Sequence, residues 1–583
     1  MKRSLKPIES LPIWAKENGI ILNGVTLAIS PSGYGTGLVT TARHSKPGSL
    51  FIQVPSHLLF SKGRVWELAQ EDEDLAQILA ANGEFTQTTR GTILIFLLMQ
   101  IAHTSPDLLE SGSERLPIGK PGPFAEYVQY IQTETSLPTF WSGEDTDHFW
   151  GTSLERHHVA KMRSLATEFE QFKASCKDLH WAEIWLGGEE RGCLTFQDWL
   201  TVDAMWRSRA MDLSGEAGDD CRECLVPVMD MANHTPDGIA AYELAVDGNG
   251  KKCAELRLDM DLAPTLTHQG GLMPYQGANV VRKGSEITIS YGNIKGAAEM
   301  IFSYGFLDHN LPDARSMMLG WKLPEDDPLR FEKVAALDLE PGIQIYTPGG
   351  AESSEVCFAG AAVWAMSINE EDGLKIVRNT EPPSSSFQQN DNCNDPVLPL
   401  QTPSDEDNNN ESTSYNLFFK GTLITSKSHL LDILKHDRAA LVFRTRAYAY
   451  VLMRVEEELS RLASSHPSTD EDDSTNAEDE KEGSSASSRA RICQQLRHLE
   501  ITLLSKAAEY FSAQISTLIE HPDVVNYSIL LEQGLTLPEL SDAEQWARFE
   551  DEHDERNRVG YVSALEEKLE RLAAPGRREA NGV

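Results

Sequence analysis

Positive charge, cysteine and long apolar runs are all scarce in this chain of 583 residues. Lysine and arginine number 52 against 89 aspartates and glutamates, which gives a formal net charge of −37 at pH 7. A protein that grips the phosphates of nucleic acid needs a basic surface, so this balance argues against that class and favours basic protein partners. The alternative is that much of the charge is solvated acidic linker, because the acidic residues are concentrated in a few tracts.

The eight cysteines are scattered along the chain, which fits a reducing compartment better than a disulfide framework. Cys221 and Cys224 form one Cys-x-x-Cys pair, without a second pair or a histidine at zinc spacing. His157 and His158 lack a further ligand at helical spacing, and we interpret them as surface residues. The sequence therefore predicts no metal site.

The longest apolar run is TILIFLLMQIA, residues 92–102. It has about half the length that crosses a bilayer, so it predicts a buried helix. Residues 1–6 are basic, but PIESLPIWAKENG follows and is too polar for the core of a signal peptide. We expect no signal peptide or transmembrane segment and a location in the cytoplasm, the nucleus or both.

The common nucleotide-binding signatures are also missing. Gly35 and Gly37 are followed by Thr40 where a dinucleotide fingerprint has its third glycine, and no Walker lysine or kinase Asp-Phe-Gly motif occurs. Taken alone, this glycine-rich segment is typical of a hairpin turn between Leu27 and Leu38.

What the chain does contain is a polar cluster after an apolar run, LVPVMDMANH at residues 225–234. The run predicts a buried strand that ends in Asp230, Asn233 and His234. An asparagine offers two donors and an acceptor, and a histidine ring adds another donor. Such a turn can bind a planar, hydrogen-bonding ligand such as an adenine.

A second segment, GSEITISYGNIKGAAEMIFSYGF at residues 284–306, alternates Ile287, Ile289 and Tyr291 as a strand. It then turns at Gly292 into a helical segment that ends in Tyr304, Gly305 and Phe306. Two tyrosines therefore bracket one short unit.

Together, Asp-x-x-Asn-His, Gly-x-Glu-Ile-x-x-x-Tyr-Gly and Tyr-Gly-Phe resemble the C-terminal half of a SET domain. The order is that of the branch containing plant Rubisco large-subunit lysine methyltransferase and its fungal and animal relatives. Residues 11–55 resemble the opening segment of the same domain. Many histone-directed SET enzymes carry a zinc-binding cysteine cluster after the Tyr-Gly segment, whereas residues 307–355 contain no cysteine, which favours the non-histone branch.

The resemblance implies an α+β fold, in which a SET-domain β-fold with a helical insertion precedes a mostly helical C-terminal domain. The second half also fits an all-helical interaction domain. The expected boundaries are 1–57 for the N-terminal SET segment, 58–200 for the helical insertion, 201–323 for the C-terminal SET segment, 324–380 and 415–583 for a substrate-binding-like domain, and 381–414 and 466–488 for disordered acidic or polar linkers.

Periodicity and turn signals add local predictions. The hairpin signal Asp-Gly-Asn-Gly predicts paired strands at 240–246 and 253–258, followed by a loop insertion over 259–278. Helices are predicted over 65–81, 92–103, 159–172, 194–213, 427–464, 489–521 and 542–574.

By the same resemblance, Tyr291 is the catalytic tyrosine, and Tyr242 and Tyr304 line a channel for the substrate lysine. The residues implied to bind the cofactor, S-adenosylmethionine, are Tyr34, Gly35, Thr36, Arg209, Asp230, Asn233 and His234. Each tyrosine could instead be an ordinary half-buried aromatic, and an arginine late in a helix could simply favour the helix dipole.

Methyl transfer from a sulfonium to an amine needs alignment and a dry channel more than acid–base groups. A free lysine has a pKa of about 10.4, so desolvation has to help deprotonation, and no general base stands out. Met211 stands where the actin-histidine methyltransferase of this branch has asparagine, and Tyr304 where that enzyme lacks tyrosine; both differences favour lysine over histidine as the substrate.

The leading hypothesis is an S-adenosylmethionine-dependent protein lysine N-methyltransferase that acts on a non-histone protein such as a ribosomal protein or translation factor. Its partner would be a protein that presents a lysine in a basic context. The alternative is a catalytically inactive SET-derived scaffold or peptide-binding protein.

Overall fold

The computed structural model divides the chain into two units. Unit 1 comprises Met1–Ser142, His158–Asn293 and Glu299–Asp308, and unit 2 comprises Gly143–His157, Ile294–Ala298 and His309–Val583. The described residues are 1–30, 35–44, 46, 48–106, 118–132, 136–141, 143–186, 193–213, 223–259, 281–292, 295–308, 310–320, 323–325, 327–339, 342–348, 355–378, 415–464 and 485–532. None of the described helices is both long and apolar enough to cross a membrane.

The strands in chain order are β1 Ile21–Leu22, β2 Val25–Ile29, β3 Thr36–Thr40, β4 Leu50–Pro55, β5 Phe60–Ser61, β6 Met211–Asp212, β7 Glu223–Leu225, β8 Asn233–His234, β9 Ala240–Val246, β10 Lys252–Leu258, β11 Glu286–Ile289, β12 Ser316–Gly320, β13 Gly342–Tyr346, β14 Cys357–Ala359, β15 Leu374–Arg378, β16 Tyr415–Phe419 and β17 Thr422–Ile424. The α-helices are α1 Leu11–Glu17, α2 Lys62–Ala69, α3 Glu73–Ala81, α4 Thr89–Thr104, α5 Pro123–Tyr127, α6 Glu144–Asp147, α7 Ser153–Cys176, α8 Ala182–Leu186, α9 Phe196–Arg209, α10 Ala297–Tyr304, α11 Arg330–Leu337, α12 Ala361–Met366, α13 Lys427–His436, α14 Ala440–Ser464, α15 Ser485–Ile519 and α16 Pro522–Glu532.

Unit 1 contains three small sheets, with strand orders β1-β4-β10-β9, β2-β3-β11-β8 and β5-β7-β6. The predicted hairpin is confirmed as β9 and β10, which pair antiparallel. The glycine-rich segment joins β2 to β3, with Leu27 opposite Leu38. Strand β11 pairs antiparallel with β3 and parallel with β8, so two motifs far apart in sequence meet on one strand.

The core of unit 1 is built around α4, whose residues from Gly91 to Ala102 are all buried. This confirms the buried helix predicted from the longest apolar run. Thr88 caps the N-terminus of α4, because its side chain accepts from the Gly91 N–H at 2.9 Å. Gly91 is needed there, because a Cβ would lie 2.0 Å from the Phe85 carbonyl oxygen.

Three local predictions in unit 1 are wrong in detail. The predicted helix over 65–81 is two helices, because α2 ends at Ala69 and Asp72, whose backbone is extended, caps α3 by accepting from the Leu75 N–H at 3.2 Å. The run 225–234 is not one strand: β7 ends at Leu225, a 3₁₀ turn spans Met229–Met231, and β8 follows. The sequence over 194–213 predicts an amphipathic helix that ends near Ser208 and Arg209. Helix α9 does end at Arg209, but its residues from Asp198 to Trp206 are all buried, so it is not amphipathic.

Unit 2 combines helices with two three-stranded sheets, β12-β13-β14 and β15-β16-β17. The single helix predicted over 427–464 is broken at Asp437, whose backbone is extended and whose carboxylate accepts from Ala439 N–H at 2.9 Å. Helix α15 begins at Ser485, inside the tract predicted to be disordered to 488. His157 in unit 2 and His158 in unit 1 are half-buried rather than surface residues, and burial lowers the pKa of His158.

Some predictions fall outside the described residues. These are Tyr34, Cys221, the insertion from residue 260 to 278, the linkers over 381–414 and 466–484, and the helix over 542–574.

Candidate functional site

A cavity of about 340 Å³ in unit 1 is lined by residues from seven separate segments of the chain, and we call it the site cavity. That volume lies in the range of small-molecule sites. Its described lining is Ile8, Gly35, Thr36, Tyr130, Gln132, Ser136, Ser208, Arg209, Asp230, Met231, Asn233, His234, Tyr291, Tyr304, Gly305 and Phe306.

The parallel pairing of β8 with β11 fixes the centre of this cavity. Asn233 lies opposite Thr288, and His234 lies opposite Ile289. The chain after β8 then packs directly on the β11 backbone, since a Cβ at Gly238 would lie 2.5 Å from the Ile289 carbonyl carbon. A glycine is required at this crossing because no side chain fits between the two backbones.

Asn233 is held by a carboxylate. Its Nδ2 donates to Glu286 Oε1 at 2.7 Å, and Ser30 Oγ donates to the other oxygen, Oε2, at 2.7 Å. Gly37 on β3 leaves room for this pair, because a Cβ there would lie 2.6 Å from Asn233 Nδ2. The amide is therefore fixed in one orientation at the cavity wall.

Both ring nitrogens of His234 face other groups of the protein. Its Nδ1 accepts from the Tyr291 backbone N–H at 3.0 Å, and its Nε2 lies 3.0 Å from Asp308 Oδ1. The ring also stacks on Tyr291, with centroids 5.0 Å apart. His234 thus shapes the cavity by holding its neighbours, and its own ring nitrogens face protein groups.

Three aromatic rings form one wall of the cavity. The Tyr291 and Tyr304 centroids lie 4.5 Å apart, and Phe306 lies 6.2 Å from Tyr304 and 6.0 Å from His234. The Tyr291 hydroxyl donates to the Ala232 carbonyl oxygen at 2.9 Å. Burial, with smaller contributions from Glu299 and Tyr242, raises the pKa of Tyr304, so this hydroxyl stays neutral.

Asp230 places a buried carboxylate at the cavity. The Tyr127 hydroxyl donates to Oδ1 and accepts from Val228 N–H at 3.0 Å. Among the described residues, Oδ2 has no hydrogen-bond partner. Burial raises the pKa of this carboxyl to about 6, although Arg209 and the Tyr127 hydrogen bond act in the opposite direction.

The backbone before Asp230 is strained. Val228 is fully buried and has a φ of 72°, a conformation that β-branched residues rarely adopt. Strain of this kind persists only where the surroundings enforce it, and it is concentrated at functional sites.

Arg209 supplies the cation of the cavity from the last turn of α9. Its Nη1 donates to the Asp230 carbonyl oxygen at 3.1 Å and lies 3.5 Å from Met231 Sδ. The guanidinium and the Asp230 carboxyl thus bring opposite charges to one cavity, next to a fixed amide and an aromatic wall. Such a site suits a zwitterionic ligand with a planar ring system.

Comparisons with known proteins agree on one architecture. A solved structure titled "Structure of Rubisco LSMT bound to AdoMet" is similar over 88% of this chain and 93% of that chain, with a TM-score of 0.51 and 15% identity. A second, of the SET domain of LSMT bound to MeLysine and AdoHcy, covers 88% of this chain and 94% of that chain, with a TM-score of 0.50 and 15% identity. The chain has a SET-domain fold.

The curated relatives of this SET-domain chain include three kinds of protein. It is 21% identical over 320 residues to SET domain-containing protein 8 of Schizosaccharomyces pombe, which is 54% of this chain and 62% of the relative. It is 24% identical over 214 residues, 36% of this chain and 38% of the relative, to the chloroplastic [fructose-bisphosphate aldolase]-lysine N-methyltransferase of Arabidopsis thaliana. It is 21% identical over 308 residues, 53% of this chain and 43% of the relative, to the actin-histidine N-methyltransferase of Homo sapiens.

Each match thus spans less than two thirds of the relative's own length. No protein-family model matches the chain. The comparisons confirm the resemblance to the SET-domain methyltransferases of the Rubisco branch and the α+β fold class.

Most residues predicted for the SET-domain site do meet at the site cavity: Gly35, Thr36, Arg209, Asp230, Asn233, His234, Tyr291 and Tyr304 line it. Tyr242 does not line the described cavity. It lies on β9, close enough to Tyr304 to raise that residue's pKa.

The sequence reasoning missed the residues that hold this set in place: Tyr127, Glu286 and Asp308. Glu286 lies inside the Gly-x-Glu-Ile motif, and Asp308 follows Tyr-Gly-Phe by two residues, so both were adjacent to recognised motifs. Tyr127 had no such signal, because it lies 103 residues from the aspartate that it contacts.

Proposed function

We propose that the protein is an S-adenosylmethionine-dependent protein lysine N-methyltransferase that acts on a non-histone protein. The observation that carries this proposal is the site cavity, which is lined both by the Tyr291–Tyr304 pair and by every described residue that was predicted to bind the cofactor. A cofactor and a reacting side chain must meet in such a space for direct methyl transfer.

The charges of the cavity fit the cofactor. Asp230 presents a buried oxygen that lacks a partner among the described residues, and Arg209 brings a guanidinium to the same cavity. These groups suit the ammonium and carboxylate of an amino-acid moiety. Asn233 and the backbone of His234 would hold the adenine, with Gly35 and Thr36 along the ligand, and S-adenosylmethionine when bound supplies a methyl group activated on a sulfonium.

The aromatic wall supports a lysine substrate. The Tyr291 hydroxyl donates a hydrogen bond to the Ala232 carbonyl oxygen, so the lone pairs of the hydroxyl oxygen remain able to accept from an amine. Tyr304, kept neutral by burial, would line the channel beside it. A neutral, water-poor channel lowers the pKa of an entering lysine, which has to lose a proton before it can attack.

We propose lysine rather than histidine as the substrate residue. The Tyr304 ring lies 4.5 Å from the Tyr291 ring and so fills space beside it that a broader imidazole would need. Met211, the other position that separates this chain from the actin-histidine enzyme, is buried and does not line the described cavity. Tyr304 therefore carries the argument for substrate class. The net charge of −37 supports a basic segment around the target lysine.

Two measurements test the proposal. Calorimetry should detect S-adenosylmethionine binding to the purified protein, and a comparison of methyl-lysine peptides between cells with and without the gene should reveal the substrate. The matched control is the same cell line complemented with Tyr291→Phe. A protein that binds no cofactor, in cells whose methyl-lysine pattern is unchanged, would instead be a scaffold derived from a SET domain.

A further inference from the structure

A buried carboxylate stands behind the His234 ring, on the segment that follows Tyr-Gly-Phe. The side chains of His234 and Asp308 are each 2% exposed, and Nε2 lies 3.0 Å from Oδ1. Asp308 is not part of the described cavity lining, so it would act through His234 rather than on a ligand. We propose that Asp308 is a positioning residue, which fixes the tautomer of His234 and thereby the position of Tyr291; this inference rests on the proposed methyltransferase function.

The hydrogen bonds of the His234 ring indicate which of its nitrogens carries the hydrogen. Nδ1 accepts from the Tyr291 N–H at 3.0 Å, so Nδ1 carries no hydrogen. The approach of Nδ1 to the Ile289 carbonyl oxygen at 3.3 Å is therefore not a donated hydrogen bond. In a neutral imidazole the single N–H is then on Nε2, the nitrogen that faces Asp308.

The Asp308 carboxylate favours one tautomer of the His234 ring electrostatically. The Nε2 and Oδ1 atoms lie at ion-pair distance without the alignment of a straight hydrogen bond. In a buried setting a nearby anion still favours the tautomer that turns its N–H toward it. The opposite tautomer would place an Nδ1 hydrogen against the Tyr291 N–H, with two donors facing each other.

The His234 ring is connected to the aromatic wall of the site cavity through Tyr291. The Tyr291 N–H bonded to His234 begins the turn after β11, and the Tyr291 hydroxyl is held by the Ala232 carbonyl oxygen at 2.9 Å. His234 also contacts Phe306, two residues before Asp308, with ring centroids 6.0 Å apart. Loss of the tautomer would free the Tyr291 turn while leaving the β8–β11 pairing in place.

The experiment compares Asp308→Asn with Asp308→Leu. Asparagine can turn its Oδ1 toward Nε2 and keep an acceptor there, whereas leucine removes the acceptor at similar volume. Asp313→Asn is the matched control, because the Asp313 side chain is also 2% exposed but pairs with Lys506 at 2.7 Å. If Asp308→Leu does not fold, Asp308→Ala removes the same acceptor without adding apolar volume.

Two readouts separate positioning from simple stability. Ring-nitrogen NMR of histidine-labelled protein, with His234 assigned by its loss in His234→Gln, should show the Nε2–H tautomer in the parent and in Asp308→Asn. In Asp308→Leu the tautomers should mix, and the affinity for S-adenosylmethionine should fall about fivefold or more, against less than about threefold in Asp308→Asn. Asp313→Asn should lower thermal stability without changing either readout.

An unchanged His234 tautomer and cofactor affinity in folded Asp308→Leu would overturn the inference. So would equal losses in Asp308→Asn and Asp308→Leu, because the retained acceptor would then have no effect. The tautomer is measured on the protein without ligand. A parent protein that fails to bind S-adenosylmethionine therefore counts against the proposed function, and the NMR result still decides the role of Asp308.

Discussion

Two buried aspartates, one in each unit, both accept from a tyrosine hydroxyl but differ in how many of their carboxylate oxygens have hydrogen-bond partners. Asp372 in unit 2 accepts from the Tyr527 hydroxyl, from Arg446 Nη1 at 2.7 Å and from the Asn369 N–H at 2.7 Å. Asp230 in unit 1 also accepts from a tyrosine hydroxyl, that of Tyr127, but its Oδ2 has no partner among the described residues.

The difference shows what each carboxylate contributes. A buried charge with a guanidinium and several donors fastens elements together, here the 3₁₀ turn Glu370–Asp372 to α14 and α16. A buried carboxyl that retains an unused oxygen at a cavity is costly to the apoprotein, and such groups are concentrated at functional sites. Four predictions test or refine this contrast.

The largest effect is expected from Asp372→Ala. Removing this carboxylate leaves the half-buried Arg446 without its counter-ion and the buried Tyr527 hydroxyl without its acceptor, which should destabilise unit 2 by about 3–5 kcal/mol. Urea denaturation followed by tryptophan fluorescence measures the loss. Lys420→Met is the control: it removes a partly exposed ion pair with Asp437, and its cost should be about 1 kcal/mol or less. Similar costs for the two variants would mean that Asp372 does not fasten these elements.

Asp230→Asn should increase the stability of the folded protein at neutral pH, and by less than Asp372→Ala decreases it. Burial raises the folded-state pKa to about 6, above the usual value near 3.8, so the folded state binds a proton more tightly than the unfolded state. The raised pKa of Asp230 contributes about 2–3 kcal/mol to the free energy of unfolding. This contribution is fully present below pH 3.8 and is lost as the pH rises through 6.

The parent protein should therefore lose more stability than Asp230→Asn does between about pH 4 and pH 7, and melting curves across that range measure the difference. The same substitution should weaken S-adenosylmethionine binding, because the oxygen that faces the ligand loses its charge. A parallel pH dependence in parent and variant would place the proton elsewhere.

The parts of the fold and of the site cavity that depend on local sequence patterns could be predicted from the sequence. The hairpin of β9 and β10 follows from alternation around a turn signal, and Asn233, His234 and Tyr291 belong to compact motifs. The same patterns gave a wrong prediction for the run 225–234. Its apolar residues are buried, but they lie in a strand, a turn and a 3₁₀ segment rather than in one strand.

The groups that hold the site could not be read locally. Glu286 lies 53 residues from Asn233, and Tyr127 lies 103 residues from Asp230. Each is an ordinary polar or aromatic residue in sequence, and only the fold brings the pairs together. The same is true of Asp372 and Tyr527, which are 155 residues apart in unit 2.

Tyr291→Phe should separate cofactor binding from methyl transfer at the site cavity. The ring and its packing against His234 and Tyr304 remain, while the hydroxyl held by Ala232 is lost. Turnover on the identified substrate should fall about tenfold or more at nearly constant cofactor affinity. Tyr304→Phe should instead change how many methyl groups accumulate, as measured by mass spectrometry. A parent rate in Tyr291→Phe would favour the scaffold alternative.

The smallest effect is expected from Gly37→Ala, which tests whether the fixed orientation of Asn233 matters. The added Cβ would lie 2.6 Å from Asn233 Nδ2 and 2.7 Å from Glu286 Oε1, so the amide–carboxylate pair has to move. Both contacts are ends of side chains and Gly37 lies in strand β3, so the fold should tolerate the change. We expect the affinity for S-adenosylmethionine to fall about threefold to tenfold with little change in melting temperature. Gly248→Ala is the control, because a Cβ there meets no atom within 4 Å. Equal affinities for the two variants would show that the cavity does not depend on the Asn233–Glu286 pair.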